Sequence, residues 1–268
     1  MTLCGMNLIK SFSYKKKSFS RRFTKGRKTR GKSKWSSGSL GRILPNAVTF
    51  AALCLGLTSI HFGFRQEWEQ AVSCIFLAGV LDGVDGRLAR FLKASSSFGA
   101  NLDSLCDFTN FGVAPSFVIY FYALHQWGNK GWGLCLLFSA CMAWRLARFN
   151  SQSHYYSHLF SVGVPAPAGA FLVLSPIVFH FVFGKALPLW SVGVVTFCCA
   201  LMLASRYPTF VFKKIQVPRG YRGLLSLVFL IVLVTLVSAP WDALFFLSIL
   251  YTCSLPVSGY FFYKKGYR

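Results

Sequence analysis

The stretch LDGVDGRLARFLKASSSFGANLDSLCD, residues 81–107, decides how the rest of the chain is read. The chain has 7 acidic residues, and four of them fall here: Asp82, Asp85, Asp103 and Asp107. Strongly apolar sequence flanks the stretch on both sides, which places these carboxylates at or near the ends of hydrophobic helices. Ionised carboxylates are costly there unless something binds them, so they mark a functional site. Asp82 and Asp85 are three apart and Asp103 and Asp107 four apart, so on helices each pair projects from one face. A small polar turn over 94–100 would bring the two pairs together. Like charges that close repel strongly at low dielectric, and divalent cations relieve the repulsion. An all-oxygen ligand set favours Mg²⁺ or Mn²⁺, which bind through carboxylates and substrate phosphates. Gly86 lets a bulky phosphate or sugar approach the helix backbone, and Arg90 lies on the same side to pair with phosphate. The chemistry is that of a metal-assisted phosphoryl-group site.

The pattern Asp82-x2-Asp85-Gly86-x2-Ala89-Arg90-x8-Gly99-x3-Asp103-x3-Asp107 resembles the complete signature of the CDP-alcohol phosphatidyltransferases. Charged residues merely capping membrane helices predict neither this spacing nor this mix. The resemblance implies transfer of a phosphatidyl group from a CDP-linked lipid to an alcohol, with release of CMP. It implies two divalent ions held by Asp82, Asp85, Asp103 and Asp107, with Asp107, the last acid, as general base. It also implies that Gly86, Arg90 and Gly99 serve the CDP-lipid, and that Ser96, six positions after the signature arginine, contacts it. Upstream, Pro45-Asn46 is read as opening the first helix. Asn46 is either a polar helix cap or part of the nucleotide site.

Further out, the composition defines the class. Of 268 residues, 54% are hydrophobic and 17% aromatic, with a mean hydropathy of +0.49. Apolar runs this long and frequent predict an all-α polytopic membrane bundle. Eight segments stand out, near 43–62, 70–91, 104–124, 131–149, 165–183, 187–205, 223–239 and 241–263. Six correspond to the family's common core and two are C-terminal additions. The 9 cysteines show no paired metal spacing and read as small buried hydrophobes rather than a disulfide framework.

The net charge of +22 invites a nucleic-acid reading, but 13 of the 29 Lys and Arg lie within residues 1–42. That segment carries no acid and no apolar stretch, so it reads as a basic cytoplasmic tail, distinct from a membrane domain over 43–268. Attraction to anionic membrane lipids follows from the same charges, whereas no nucleic-acid motif is present. With the N-terminus cytoplasmic, eight helices place 26 of the 29 basic residues on the cytoplasmic side, with Arg65, Lys130 and Lys185 outside. The acidic cluster then faces the cytoplasm of a bacterial inner membrane. Five histidines form no site: His154 and His158 are four apart but lack a third ligand.

Two basic clusters end helices on the side of the acids. One is Arg145, Arg148 and Asn150 in RLARFN, and the other is Arg206 and Lys213 in SRYPTFVFK. Positive-inside anchoring accounts for them without a ligand, yet a basic pocket beside the metals would suit an acceptor with its own negative charge. Arg148 is the first candidate. FGVAP at 111–115, RLARFN at 145–150, GVPAPA at 163–168 and LMLASRYPTFVFK at 201–213 resemble the serine-accepting branch of the family. The resemblance implies CDP-diacylglycerol and L-serine as substrates, and by analogy a homodimer. Glycerol 3-phosphate, an inositol phosphate or choline are the rival acceptors. A non-catalytic transporter is the rival class, and it leaves Gly86, Arg90 and Gly99 unexplained.

Overall fold

Residues 39–92, 96–151, 160–205, 208–210 and 222–264 are described in a computed structural model, and all belong to the unit Ser37–Arg268. Residues 1–38 of the basic tail, Ser95, His154, His158, Arg206 and Lys213 lie outside the described residues, and the last four residues of the tail already belong to the first helix. The chain runs through α1 (Ser39–Phe64), α2 (Trp68–Phe91), α3 (Ser97–Phe108), a π-helical turn (Thr109–Val113) and α4 (Ala114–Tyr122). It continues through a 3₁₀ turn (Leu124–Trp127), α5 (Asn129–Ser151), β1 (Phe160–Val162), α6 (Ala166–Phe183), α7 (Leu189–Ala204), β2 (Pro208–Phe210), α8 (Arg222–Ser238) and α9 (Pro240–Lys264). Because the π turn joins α3 to α4 without a break, the described residues build eight helical rods, in the places the apolar segments predict.

Three of the rods hold stretches long and apolar enough to cross a bilayer unaided: Ile43–Phe64, Ala166–Phe183 and Pro240–Gly259. The rest are shorter or carry the charges of the site. Large apolar side chains such as Phe91, Leu105, Trp144, Trp190 and Val237 point outward, a surface that suits lipid rather than water. Phe111, Phe138, Ile75, Ile119, Met142 and Leu174 are fully buried at the centre.

α1 and α2 form the tightest pair, an antiparallel hairpin closed over Arg65–Glu67. Gln66 takes a left-handed conformation (φ 62°), and the Glu67 amide donates to Phe62 O at 2.9 Å. Along α2 the buried positions are Ala71, Val72, Cys74, Ile75, Ala78 and Asp85, most of them on a stripe at three- and four-residue steps. Asp82 continues this stripe. One helix face therefore buries apolar side chains along most of its length and presents carboxylates at its end.

Two boundaries differ from the sequence reading. The third rod begins at Ser97, not near 104, because Ser96 caps it: Ser96 Oγ accepts from the Gly99 amide at 3.0 Å. Pro45 does not open α1 but sits inside it, where the ring removes a backbone donor. The Thr49 hydroxyl lies 3.1 Å from the Pro45 carbonyl.

One feature has no counterpart in the sequence reading. β1 pairs antiparallel with β2, in the register Phe160↔Phe210, Ser161↔Thr209 and Val162↔Pro208. This short ribbon ties the segment entering α6 to the segment leaving α7. Beside it, Gly163 has φ +87°, a conformation that side chains rarely adopt. α9 packs against α6 and α8, which brings the C-terminal helix back to the body of the bundle.

Candidate active site

α2 and α3 deliver the carboxylates. Oxygens of Asp82, Asp85 and Asp103 all lie within 4.8 Å of one another. The fourth acid, Asp107, is one turn beyond Asp103 on α3, and its carboxyl reaches that of Asp82. Its Oδ1 is buried and takes no hydrogen bond from any described residue. Among the described residues the sole ion pair is Arg65–Glu67, so no Lys, Arg or His neutralises the cluster by direct pairing. Converging carboxylates without a cationic partner, one with an orphaned buried oxygen, fit a divalent cation.

α1 supplies a residue that the sequence reading missed. Thr49, buried, places its hydroxyl 2.6 Å from Asp85 Oδ2. With one proton to give, it serves Asp85 in preference to the more distant Pro45 carbonyl. Such hydrogen bonds to a ligating carboxylate fix its orientation. A lone threonine in an apolar helix carries no signal for this role, because its partner is 36 residues away.

Beside the acids lies a cavity of about 280 Å³ lined by Pro45, Asn46, Thr49, Asp85, Gly86, Ala89, Arg90, Ser96, Gly99, Ala100 and Asp103. Every residue that the sequence reading attached to the CDP-lipid, Asn46, Gly86, Arg90, Ser96 and Gly99, therefore lines one space. The geometry shows why glycine stands at two of these places. Nothing lies within 4 Å of where a Gly86 side chain would begin, so the helix backbone is open to the cavity. A Cβ on Gly99 would meet Asn46 Oδ1 at 3.1 Å and Ser96 Oγ at 3.2 Å. The Arg90 Nε donates to Gly86 O at 2.9 Å, which folds the guanidinium back over its own helix at the rim.

The acceptor candidates are placed less uniformly. Arg145, half-buried, lies close enough to Asp107 for their charges to act on each other, and its Nε donates to Val164 O. Arg148 points elsewhere: Nη1 donates to Ala204 O at 3.0 Å and Nη2 to Ser205 O at 2.9 Å. It fastens α5 to the C-terminal end of α7, and a Cβ on Gly163 would come within 3.0 Å of its Nη2. Asn150 donates to Ser104 Oγ at 3.0 Å across a separate groove between α3 and α5, which shares no lining residue with the cavity. Of the described candidates, Arg145 alone stands beside the acids.

With this geometry in hand, comparison with known proteins is direct. The CDP-alcohol phosphatidyltransferase family matches residues 42–204, more than half of the chain. The chain belongs to that family. A CDP-diacylglycerol–serine O-phosphatidyltransferase of Mycobacterium bovis is 36% identical over 233 residues, covering 84% of this chain and 81% of that protein. One from Helicobacter pylori is 35% identical over 179 residues, covering 65% of this chain and 74% of its own. A solved structure of Mycobacterium tuberculosis phosphatidylinositol phosphate synthase with CDP-DAG bound aligns with a TM-score of 0.48 at 17% identity, over 61% of this chain and 85% of that one.

Proposed function

We propose that this membrane protein transfers the phosphatidyl group of CDP-diacylglycerol to the hydroxyl of L-serine, giving phosphatidylserine and CMP. The observation that carries the reading is the junction of the two parts of the site: Asp85 and Asp103 belong both to the acidic cluster and to the wall of the cavity. A diphosphate seated in that cavity has its phosphates against the carboxylates. Relatives carrying the serine transferase name, matched over about four-fifths of both chains, support serine as the acceptor.

Asp82, Asp85, Asp103 and Asp107 would hold two divalent ions, Mg²⁺ or Mn²⁺, with Asp85 steadied by Thr49. Bound there, such ions supply charge neutralisation on the phosphate under attack and on departing CMP. Asn46, Ser96 and the open backbone at Gly86 cradle the nucleotide end, with Arg90 at the rim. The serine hydroxyl oxygen attacks the lipid-side phosphorus, the bond to CMP breaks, and the hydroxyl proton passes to Asp107. Proton transfer accompanies attack rather than preceding it, since a carboxylate is far too weak a base to form a free alkoxide. Arg145 beside Asp107 holds the serine carboxylate.

CMP release from CDP-diacylglycerol, followed in detergent or vesicles across a panel of alcohols, tests the reading. Serine should support turnover, with a requirement for Mg²⁺ or Mn²⁺. Equal turnover with glycerol 3-phosphate, an inositol phosphate or choline would reassign the acceptor. No CMP release with any of them would remove the enzyme reading.

A further inference from the structure

The matched family region ends at residue 204, and α9 lies wholly beyond it. Even so, α9 brings one polar group into the neighbourhood of the chemistry. The Tyr251 hydroxyl is buried and makes no hydrogen bond with any described residue. It lies near Arg145, close enough for the guanidinium charge to act on it, and Arg145 in turn lies within charge reach of Asp107, with its Nε on Val164 O where α6 begins. The rest of its surroundings are apolar. Tyr251 borders a cavity of about 310 Å³ between α2, α6 and α9, lined chiefly by Phe76, Phe171, Leu172, Leu244 and Leu250. The two serines in that lining are occupied: Ser248 Oγ donates to Leu244 O and Ser254 Oγ to Tyr251 O. A phenol in apolar surroundings carries a cost unless its hydroxyl finds a partner. No described residue supplies one, and among the described residues the charged group acting on it is Arg145.

We infer that Tyr251 is a specificity residue for the acceptor alcohol, its hydroxyl joining Arg145 in binding the carboxylate of serine. The inference rests on serine transfer as the activity. Chemistry favours the placement. In serine only Cβ and Cα separate the hydroxyl oxygen from the carboxylate carbon. Whatever grips the carboxylate must therefore stand next to the group that takes the hydroxyl proton. Arg145 stands there, with its Nε committed to Val164 O and no hydrogen bond from its terminal nitrogens among the described residues. A guanidinium satisfies one carboxylate edge, and a phenol donor beside it satisfies a remaining lone pair. The C-terminal helix thereby completes the acceptor side of a site whose donor side is built by α1, α2 and α3.

Tyr251→Phe keeps the ring and removes the hydroxyl alone. In the full-length enzyme, serine KM should rise on the order of 10- to 100-fold, the loss of one hydrogen bond to a charged group. The KM for CDP-diacylglycerol and the melting temperature in detergent should stay unchanged. Discrimination by kcat/KM between L-serine and serinol, which replaces the carboxylate with a hydroxymethyl group, should fall by a similar factor. Unchanged serine KM and unchanged discrimination would overturn the assignment. So would a parallel rise in both KM values with a lowered melting temperature, which marks a packing role. A wild-type enzyme that releases CMP with another alcohol and none with serine would overturn the underlying activity instead, and with it the carboxylate contact. The wild-type control thus separates the two failures.

Discussion

At the scale of single residues, the site depends on what each carboxylate touches. Asp85 is held by Thr49 at 2.6 Å, whereas Asp107 Oδ1 is buried with no donor among the described residues. The first is oriented by the protein, and the second keeps an oxygen suited to a cation. Thr49→Val keeps the shape of the side chain and removes the donor. Its expected effect is a rise of about 10-fold or more in the Mg²⁺ or Mn²⁺ concentration for half-maximal activity, with kcat largely recovered at saturating metal. A metal titration of activity checks this, and an unchanged midpoint would mean that Asp85 needs no support. Asp82→Ala or Asp103→Ala removes an oxygen ligand outright, and CMP release should vanish while the protein remains folded in membranes. Excess chelator should do the same to the wild type. Activity that survives either treatment would dismiss the metal-assisted mechanism.

At the scale of elements, two arginines three residues apart on α5 divide the work. Arg145 lies within charge reach of Asp107, and Arg148 donates to the last carbonyls of α7. Positions i and i+3 share a helix face only approximately, so a small rotation separates a site residue from a brace. Arg148→Ala should lower the melting temperature in detergent through a loss of about 1.5–3 kcal/mol, with serine KM within twofold of the wild type. Arg145→Ala should raise serine KM about 30-fold or more and leave the KM for CDP-diacylglycerol near its original value. If the two variants exchange phenotypes, Arg148 is the acceptor residue after all. The glycines of the cavity wall carry a similar lesson. Since a Cβ on Gly99 meets Asn46 and Ser96 within 3.2 Å, Gly99→Val should narrow the cavity and raise the KM for CDP-diacylglycerol more than that for serine.

For the molecule as a whole, the charge pattern bears on orientation. Three of the 29 basic residues, Arg65, Lys130 and Lys185, fall outside the segments assigned to the cytoplasmic side. Arg65 and Lys185 lie in the connections after α1 and α6, and Lys130 at the start of α5. Single-cysteine labelling at Lys130 and at Ser157, in a background without native cysteines, should report opposite faces of the membrane. Labelling from one side at both would mean an even number of crossings between them, and the eight-span orientation would fall.

Within one helix, side-chain period and residue type are local, and local information is what a sequence carries openly. The spacing of Asp82 with Asp85 and of Asp103 with Asp107, the glycines among them and the apolar segments were therefore legible without coordinates. So was the grouping of Gly86, Arg90, Ser96 and Gly99, through resemblance to a family, whereas Asn46 stood between a helix cap and the nucleotide site until the cavity placed it beside them. The third rod was placed too far along because its cap, Ser96, lies in a run of serines that also reads as a turn. What one helix offers another was not legible. The membrane helices are apolar around most of their surface, so no moment along the chain says which face meets which neighbour. Tertiary packing alone brought Thr49 of α1 to Asp85 of α2, Arg145 within charge reach of Asp107, Arg148 to α7, and Tyr251 of α9 within charge reach of Arg145. Each depends on a contact between residues far apart in the chain, and the strength of such a contact is set by interhelical geometry that no local period encodes.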